Sequence, residues 1–277
     1  MLRIGQPRPS VPPGLPRPVM VRAEELEPGY RYPPHNHPWG QLVYALDGSL
    51  TVETEAGSWL APPQRAVWVP PNVDHAVSAT GPASFRSLYC DMEASATLPD
   101  RVTVLEIAPL LRELIRAFAA FPERYDREGA EGRLVAVVLD RLRSAAATPA
   151  PLHLPLPSDR RLHSVTAALI ADPADGRGLE VLATGAGASV RTLARLFQRE
   201  MGMSFGQWRT RRRLIAAIER LADGVSVTTV AYDLGYESPS AFVAMFRRET
   251  GRTPGQFLDR PAAVSRASGV RADGRHP

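Results

Sequence analysis

The chain contains no lysine: all 33 of its basic side chains are arginines, set against 29 acids, for a net charge of +4 over 277 residues. It has one cysteine, Cys90, which excludes an internal disulfide and a thiolate metal cluster within a single chain. No apolar run approaches the roughly 20 residues a membrane-spanning helix needs, and "MLRIGQPRPSVPPGLPRP" has no apolar centre to act as a signal peptide. A membrane protein and a secreted disulfide scaffold are both set aside, and the expected compartment is the cytoplasm. What is present is ample apolar content, 44%, in a length that suits about two domains.

The charge is unevenly divided. Residues 1–158 hold 15 Arg against 17 acids, a balance of −2, whereas residues 159–277 hold 18 Arg against 12 acids, a balance of +6. A polyanionic partner is therefore sought in the second half.

The pattern along the chain predicts an α+β multidomain protein. Residues 1–18, with six prolines, are expected as a disordered leader. Residues 19–105 carry short alternating runs, "QLVYALDG", "SLTVETEAG", "RAVWVPPN" and "SFRSLYCDM", which turn signals separate into a compact antiparallel barrel. In residues 106–147 the period becomes helical: Ile107, Leu110, Leu111, Leu114, Ile115 and Phe118 form one stripe, and Leu134, Val138, Leu139 and Leu142 a second. Such a helical hairpin either covers its own barrel or pairs two protomers in a homodimer. Residues 148–159, rich in proline, are expected as a linker, 160–258 as an all-α domain and 259–277 as a loose tail.

Within the all-α region one segment is nearly written twice. "SVRTLARLFQREMGMSFGQW" (189–208) aligns with "SPSAFVAMFRRETGRTPGQF" (238–257) at an offset of 49. Ser189 and Ser238 are placed to N-cap helices, Pro239 suits a first helical position, and Gly202 and Gly251 suit left-handed C-termini. Ser204 with Gln207 and Thr253 with Gln256 predict capping boxes for the helices that follow. A shorter apolar helix and a glycine, "LEVLATGAG" and "VTTVAYDLGYE", precede each copy, which makes two helix-turn-helix units. Between them runs a long helix whose start is crowded with Arg209, Arg211, Arg212 and Arg213, suited to a phosphate backbone.

These motifs over residues 160–258 resemble the DNA-binding domain of the AraC/XylS family of bacterial transcription regulators, most closely in "AYDLGYESPSAFVAMFRRETGRTPGQF". The resemblance implies that the helices beginning at Val190 and Pro239 enter successive major-groove segments of double-stranded promoter DNA. By position, Arg191, Thr192, Ala194 and Arg195 face bases in the first helix, and Pro239, Ser240, Ala241 and Ala244 in the second. The two arginines of the first set can read guanine edges; the second set offers only small or apolar contacts.

In the N-terminal half, Gly29, His35, His37, Gln41 and Gly48, followed by Pro70 and His75 in "VPPNVDH", resemble the two motifs of the cupin fold. In cupin enzymes two histidines, a carboxylate and a third histidine bind a divalent metal. Here the carboxylate position is Gln41 and the usual glycine of the second motif is Asn72, and both departures weaken a catalytic reading. Three readings stay open: an organic effector pocket using His35, His37, Gln41 and His75 as hydrogen-bonding groups, a divalent transition-metal site at the same residues, or a metalloenzyme with an attached nucleic-acid module. Trp39 and Trp68 are candidates for the pocket mouth. No cofactor beyond such a metal is expected. The combination implies a small-molecule-responsive, homodimeric activator that touches RNA polymerase, and not an enzyme.

Overall fold

The computed structural model describes residues 3–4, 14–145 and 152–258. Its strands are β1 (Arg3–Ile4), β2 (Val19–Leu26), β3 (Tyr30–His35), β4 (Gly40–Ala45), β5 (Leu50–Thr54), β6 (Gly57–Ala61), β7 (Arg65–Val69), β8 (His75–Ser78), β9 (Ala83–Cys90), β10 (Thr103–Glu106) and β11 (His153–Pro155). They pair into two sheets, ordered β1-β3-β8-β5-β6-β11 and β10-β7-β4-β9-β2. Among the described residues no closed barrel is found. The expectation is corrected to a two-sheet, cupin-like domain, because β2 and β10 end their sheet without a ladder to the other one.

The alternating runs explain which sheet is covered twice. In β4, Val43 and Ala45 join the core between the sheets, while Leu42 and Tyr44 face the opposite way. That outer face receives α2 (Pro109–Phe118) and α3 (Ala130–Arg143), through Leu111, Ile115, Phe118, Val135, Val138 and Leu142. The hairpin is therefore packed on its own sheet, and Leu110 and Val137 remain exposed on its far side. Arg112 of α2 donates to the Leu46 carbonyl at 2.7 Å and the Tyr44 hydroxyl at 3.2 Å, fixing the hairpin to β4.

Cys90 lies in this outer core with no exposed surface, and burial pushes its thiol up to about 12. Only the thiolate reacts. Native protein at pH 8 is accordingly expected to leave Cys90 unmodified by an aromatic disulfide reagent, with full reaction after denaturation. Rapid native labelling would mean that α1 (Met92–Ser95), which follows Cys90, opens locally.

Two expected loose segments behave otherwise. Of residues 1–18, Arg3–Ile4 pair with β3, and Arg17 donates to the Tyr125 carbonyl at 2.9 Å; residues 5–13 lie outside the described residues. Of residues 148–159, β11 adds to β6 as an edge strand, and its His153 ring stacks on Trp59 at 4.4 Å. Prolines are tolerated on an edge because one side of the strand needs no donor. The expected tail, 259–277, lies outside the described residues.

The C-terminal domain consists of α4 (Arg160–Ala171), α5 (Leu179–Gly185), α6 (Val190–Met201), α7 (Phe205–Ala222), α8 (Val227–Asp233), α9 (Pro239–Thr250) and α10 (Pro254–Leu258). The repeated caps form as read. Ser189 and Ser238 accept from the backbone N–H groups of Thr192 and Ala241, and Gly202 and Gly251 take φ of 65° and 75°. Ser204 and Gln207 close a capping box at the start of α7. The two halves share buried contacts: Trp208 Nε1–H donates to Pro155 O at 2.9 Å, the Arg65 guanidinium lies 4.1 Å from the Phe257 ring centre, and Thr51 Oγ1 donates to Glu219 at 3.5 Å.

Candidate functional site

Three strands and one loop build the N-terminal pocket. His35 ends β3, where the ladder slips between Tyr32 and His35 beside Pro33 and Pro34, and it pairs with His75 at the start of β8. His37 follows in the loop, and Gln41 is the second residue of β4. Asn72, at the turn before β8, has φ of 61° and donates its N–H to the His37 carbonyl at 2.9 Å. Asparagine tolerates this left-handed conformation better than other side-chain-bearing residues do, so the departure from glycine keeps the turn.

The four predicted polar residues come together. One ring nitrogen from each of His35, His37 and His75 lies within 4.8 Å of the others. His37 Nε2 and His75 Nε2 each stand 2.9 Å from Gln41 Oε1, and Gln41 Nε2 donates to Ser87 Oγ at 2.7 Å. The opposite ring nitrogens are fixed by the backbone: Nδ1 of His35, His37 and His75 each lies 2.8 Å from a carbonyl, of Pro33, Trp39 and Val73 respectively. A carbonyl only accepts, so each Nδ1 carries a hydrogen, which leaves Nε2 as the ring atom turned toward the cluster.

This is the arrangement metal-bound histidines use, with the distal N–H held by a carbonyl. At bond lengths of about 2.1 Å, ligand atoms at right angles on one ion sit about 3.0 Å apart, close to the spacing of Gln41 Oε1 from the two imidazoles. The donor set therefore fits a divalent transition metal, held by His35, His37, His75 and Gln41. Such an ion would supply Lewis acidity and a coordination point for an effector oxygen.

Trp39 and Trp68 separate. Trp39 is buried and stacks on His37 with ring centres 5.1 Å apart, and its indole N–H meets no acceptor among the described residues. Trp68 is corrected from the pocket mouth to the outer core, where its Nε1–H donates to Pro99 O at 2.8 Å. The reason is strand parity: Val67 and Val69 of β7 face between the sheets, so Trp68 faces out. Sequence reading missed Ser87 and Tyr89, whose signal was the same alternation in "SFRSLYC"; Tyr89 stands edge-on to His37 at 5.7 Å.

Gly40 shows how closely the pocket strand meets the outer core. A Cβ there would fall 2.1 Å from the Trp68 ring and 2.7 Å from Ser95 Oγ. Gly40→Ala is expected to destabilise the domain by about 1–3 kcal/mol through overpacking, read as a lower urea midpoint. An unchanged midpoint would mean that the indole moves aside freely.

On the C-terminal domain, Arg191, Ala194 and Arg195 are exposed on the first turns of α6 and Thr192 is half-buried. Ser240, Ala241 and Ala244 are exposed on α9 and Pro239 half-buried. A groove of about 780 Å³ along α9 is lined by Pro239, Ser240, Ala244, Arg247 and Arg248. The last two were not singled out in the sequence; their counterparts in α6 are Gln198 and Arg199.

The α7 arginines divide. Arg213 donates to the carbonyls of Pro173 at 2.9 Å and Ala174 at 3.2 Å, and Arg212 to that of Ile170 at 3.1 Å. Both satisfy carbonyls at and just beyond the C-terminus of α4, where cations are favoured, and burial lowers the pKa of Arg212. Arg209 donates to Arg177 O at 3.1 Å with its guanidinium 5.0 Å from the Phe205 ring centre, and Arg211 is half-buried.

A two-sheet domain enclosing converging imidazoles, continuous with a duplicated helix-turn-helix, defines a ligand-binding DNA-binding protein. Residues 17–138 match the AraC-like ligand binding domain and residues 182–260 the helix-turn-helix domain. The chain is 37% identical to the HTH-type transcriptional regulator NimR of Escherichia coli K12 over 84% of each chain. It is 36% identical to the regulatory protein SoxS of Salmonella typhimurium over 30% of this chain and 78% of that one. Among solved structures, the DNA-binding domain of AdpA with its target DNA is 32% identical over 36% of this chain and 91% of that one, with a TM-score of 0.33. The chain belongs to the AraC family of transcriptional regulators: it is a DNA-binding regulator with a ligand-binding domain, and its relatives are regulators and not enzymes.

Proposed function

We propose that this protein is a cytoplasmic, homodimeric activator that reads asymmetric promoter sites and contacts RNA polymerase, with its effector held at His35, His37, Gln41, His75 and Trp39. The observation that carries the DNA-reading half is the pair of identically capped helices, α6 and α9, which present exposed side chains from their first turns. Arg191 and Arg195 read guanines, Thr192 and Ala194 fit beside them, and Pro239, Ser240, Ala241 and Ala244 supply shape and thymine-methyl contacts. Arg209 and Arg211 are assigned to phosphates together with Arg247 and Arg248, while Arg212 and Arg213 act by tying α4 to α7. Leu110 and Val137, exposed on the hairpin's outer side, belong to the face that meets the second copy.

The effector half rests on Trp39, whose buried indole N–H has no acceptor among the described residues and so awaits one from a ligand. Effector binding biases the presentation of the two DNA-binding domains only if the two states differ in affinity for it. Promoter footprinting with a salt titration tests the DNA half. Each phosphate contact is expected to contribute about −0.9 to the slope of log affinity against log salt. Failure to retard any duplex at low salt would sink the reading, and sedimentation at rising concentration checks the dimer.

A further inference from the structure

One end of the two-sheet domain is covered by the other domain. Val67 of β7 and Val104 of β10 face the core between the sheets, so Arg65 and Glu106, two residues away on the same faces, stand at its end. There Phe257 of α10 is fully buried with its ring centre 4.1 Å from the Arg65 guanidinium, and the core of the sheets runs on into that of the DNA-binding domain. The fit leaves a charge unpaired. Arg65 is 3% exposed, yet its Nε and Nη1 meet no acceptor among the described residues. Burying a charge is costly unless it is paired and hydrogen-bonded. A partner stands beside it: Glu106 lies directly opposite Arg65 in the β10–β7 ladder, where opposite charges attract. Glu106 instead reaches across the seam to Arg252, just past the end of α9, at 3.9 Å.

We propose that Arg65, Glu106, Arg252 and Phe257 form a charge-exchange latch between the domains. With the domains docked, Glu106 holds Arg252 and Phe257 covers an unpaired Arg65. With the DNA-binding domain released, Phe257 withdraws and Glu106 turns to Arg65. Glu106 is therefore paired in both states, while the unpaired guanidinium of the docked state offsets part of the gain from burying Phe257 and Trp208. That balance makes the seam a two-state element and not a fixed joint. Strand β7 places the latch within reach of the pocket: Val69 at one end pairs with Gln41, and Arg65 at the other pairs with Glu106. The docked state is the DNA-binding one, because α6 and α9 expose Arg191, Arg195, Ser240 and Ala244 while the latch is closed. The latch rests on the docked geometry and is independent of which effector the pocket takes.

A reporter of docking is available elsewhere on the seam. A Cβ on Gly81 would fall 2.3 Å from Asp223 Oδ1, at the C-terminus of α7. Full-length Gly81→Cys/Asp223→Cys protein therefore forms a disulfide when docked, and Cys90, with no exposed surface, does not compete. Equilibration with reduced and oxidised glutathione gives the effective concentration of the two thiols, which follows docking. Adding Arg65→Met is expected to raise it about tenfold, because the unpaired charge is removed and an apolar chain stays against Phe257. Adding Arg252→Ala, at an exposed position, is expected to lower it roughly two- to fivefold, because Glu106 then has a partner only in the released state. Docking unchanged or weakened by Arg65→Met would overturn the latch, and so would Arg252→Ala without effect; the second variant carries the test should the first fail to fold. The disulfide-locked protein is expected to bind its promoter as the reduced protein does. Affinity lost on oxidation and restored by reductant would overturn the docked state as the DNA-binding one.

Discussion

Replacing Arg191 and Arg195 together by alanine is expected to abolish discrimination of the promoter site while leaving the fold intact. Both side chains are exposed on the first two turns of α6, and neither takes part in the buried face formed by Leu193, Leu196 and Phe197. A bidentate contact to guanine O6 and N7 contributes about 1–3 kcal/mol of discrimination. Two lost contacts therefore correspond to a drop of roughly 30- to 20,000-fold in preference for the specific site over a scrambled duplex. Non-specific affinity falls far less, because the phosphate contacts remain. Competition binding of both duplexes at one salt concentration separates the two quantities. If the double variant footprints the same site with unchanged affinity, base reading does not reside in α6.

A second large effect is expected at the seam between the halves. Trp208 is fully buried in α7, packs against Phe197 with ring centres 6.3 Å apart, and donates to Pro155 of β11. Trp208→Ala is expected to cost about 3–5 kcal/mol from lost burial and the cavity together. Trp208→Phe keeps most of the packing but removes the indole donor to Pro155 O, and should cost about 1–3 kcal/mol for the lost buried hydrogen bond. Chemical denaturation ranks the three proteins. A phenylalanine variant as stable as wild type would mean that the indole hydrogen bond contributes nothing to holding β11 and α7 together.

Much of the DNA-binding half was legible in the sequence because its signals are local. A serine, the backbone three residues on and a glycine at the far end determine where a helix begins and stops, so both copies of the repeat predicted their caps and glycine C-termini. The arginines of α7 were only half legible. Their number was plain, yet whether each guanidinium meets solvent or a carbonyl depends on where α4 ends, some 40 residues away in the chain.

In the N-terminal half, spacing alone brought His35, His37, Gln41 and His75 to notice, and the fold joins them as expected. The sequence by itself determined the family, the duplicated reading unit and this donor set, because each is written as residue types at fixed short intervals. Tertiary structure alone decided that the sheets do not close among the described residues, that Trp68 leaves the pocket for the outer core and that part of the proline-rich linker becomes an edge strand. It also added Ser87 to the pocket. These outcomes turn on strand parity and pairing between distant segments: moving a strand by one residue exchanges its faces, and uniformly apolar runs such as "AVWV" do not reveal which face is which.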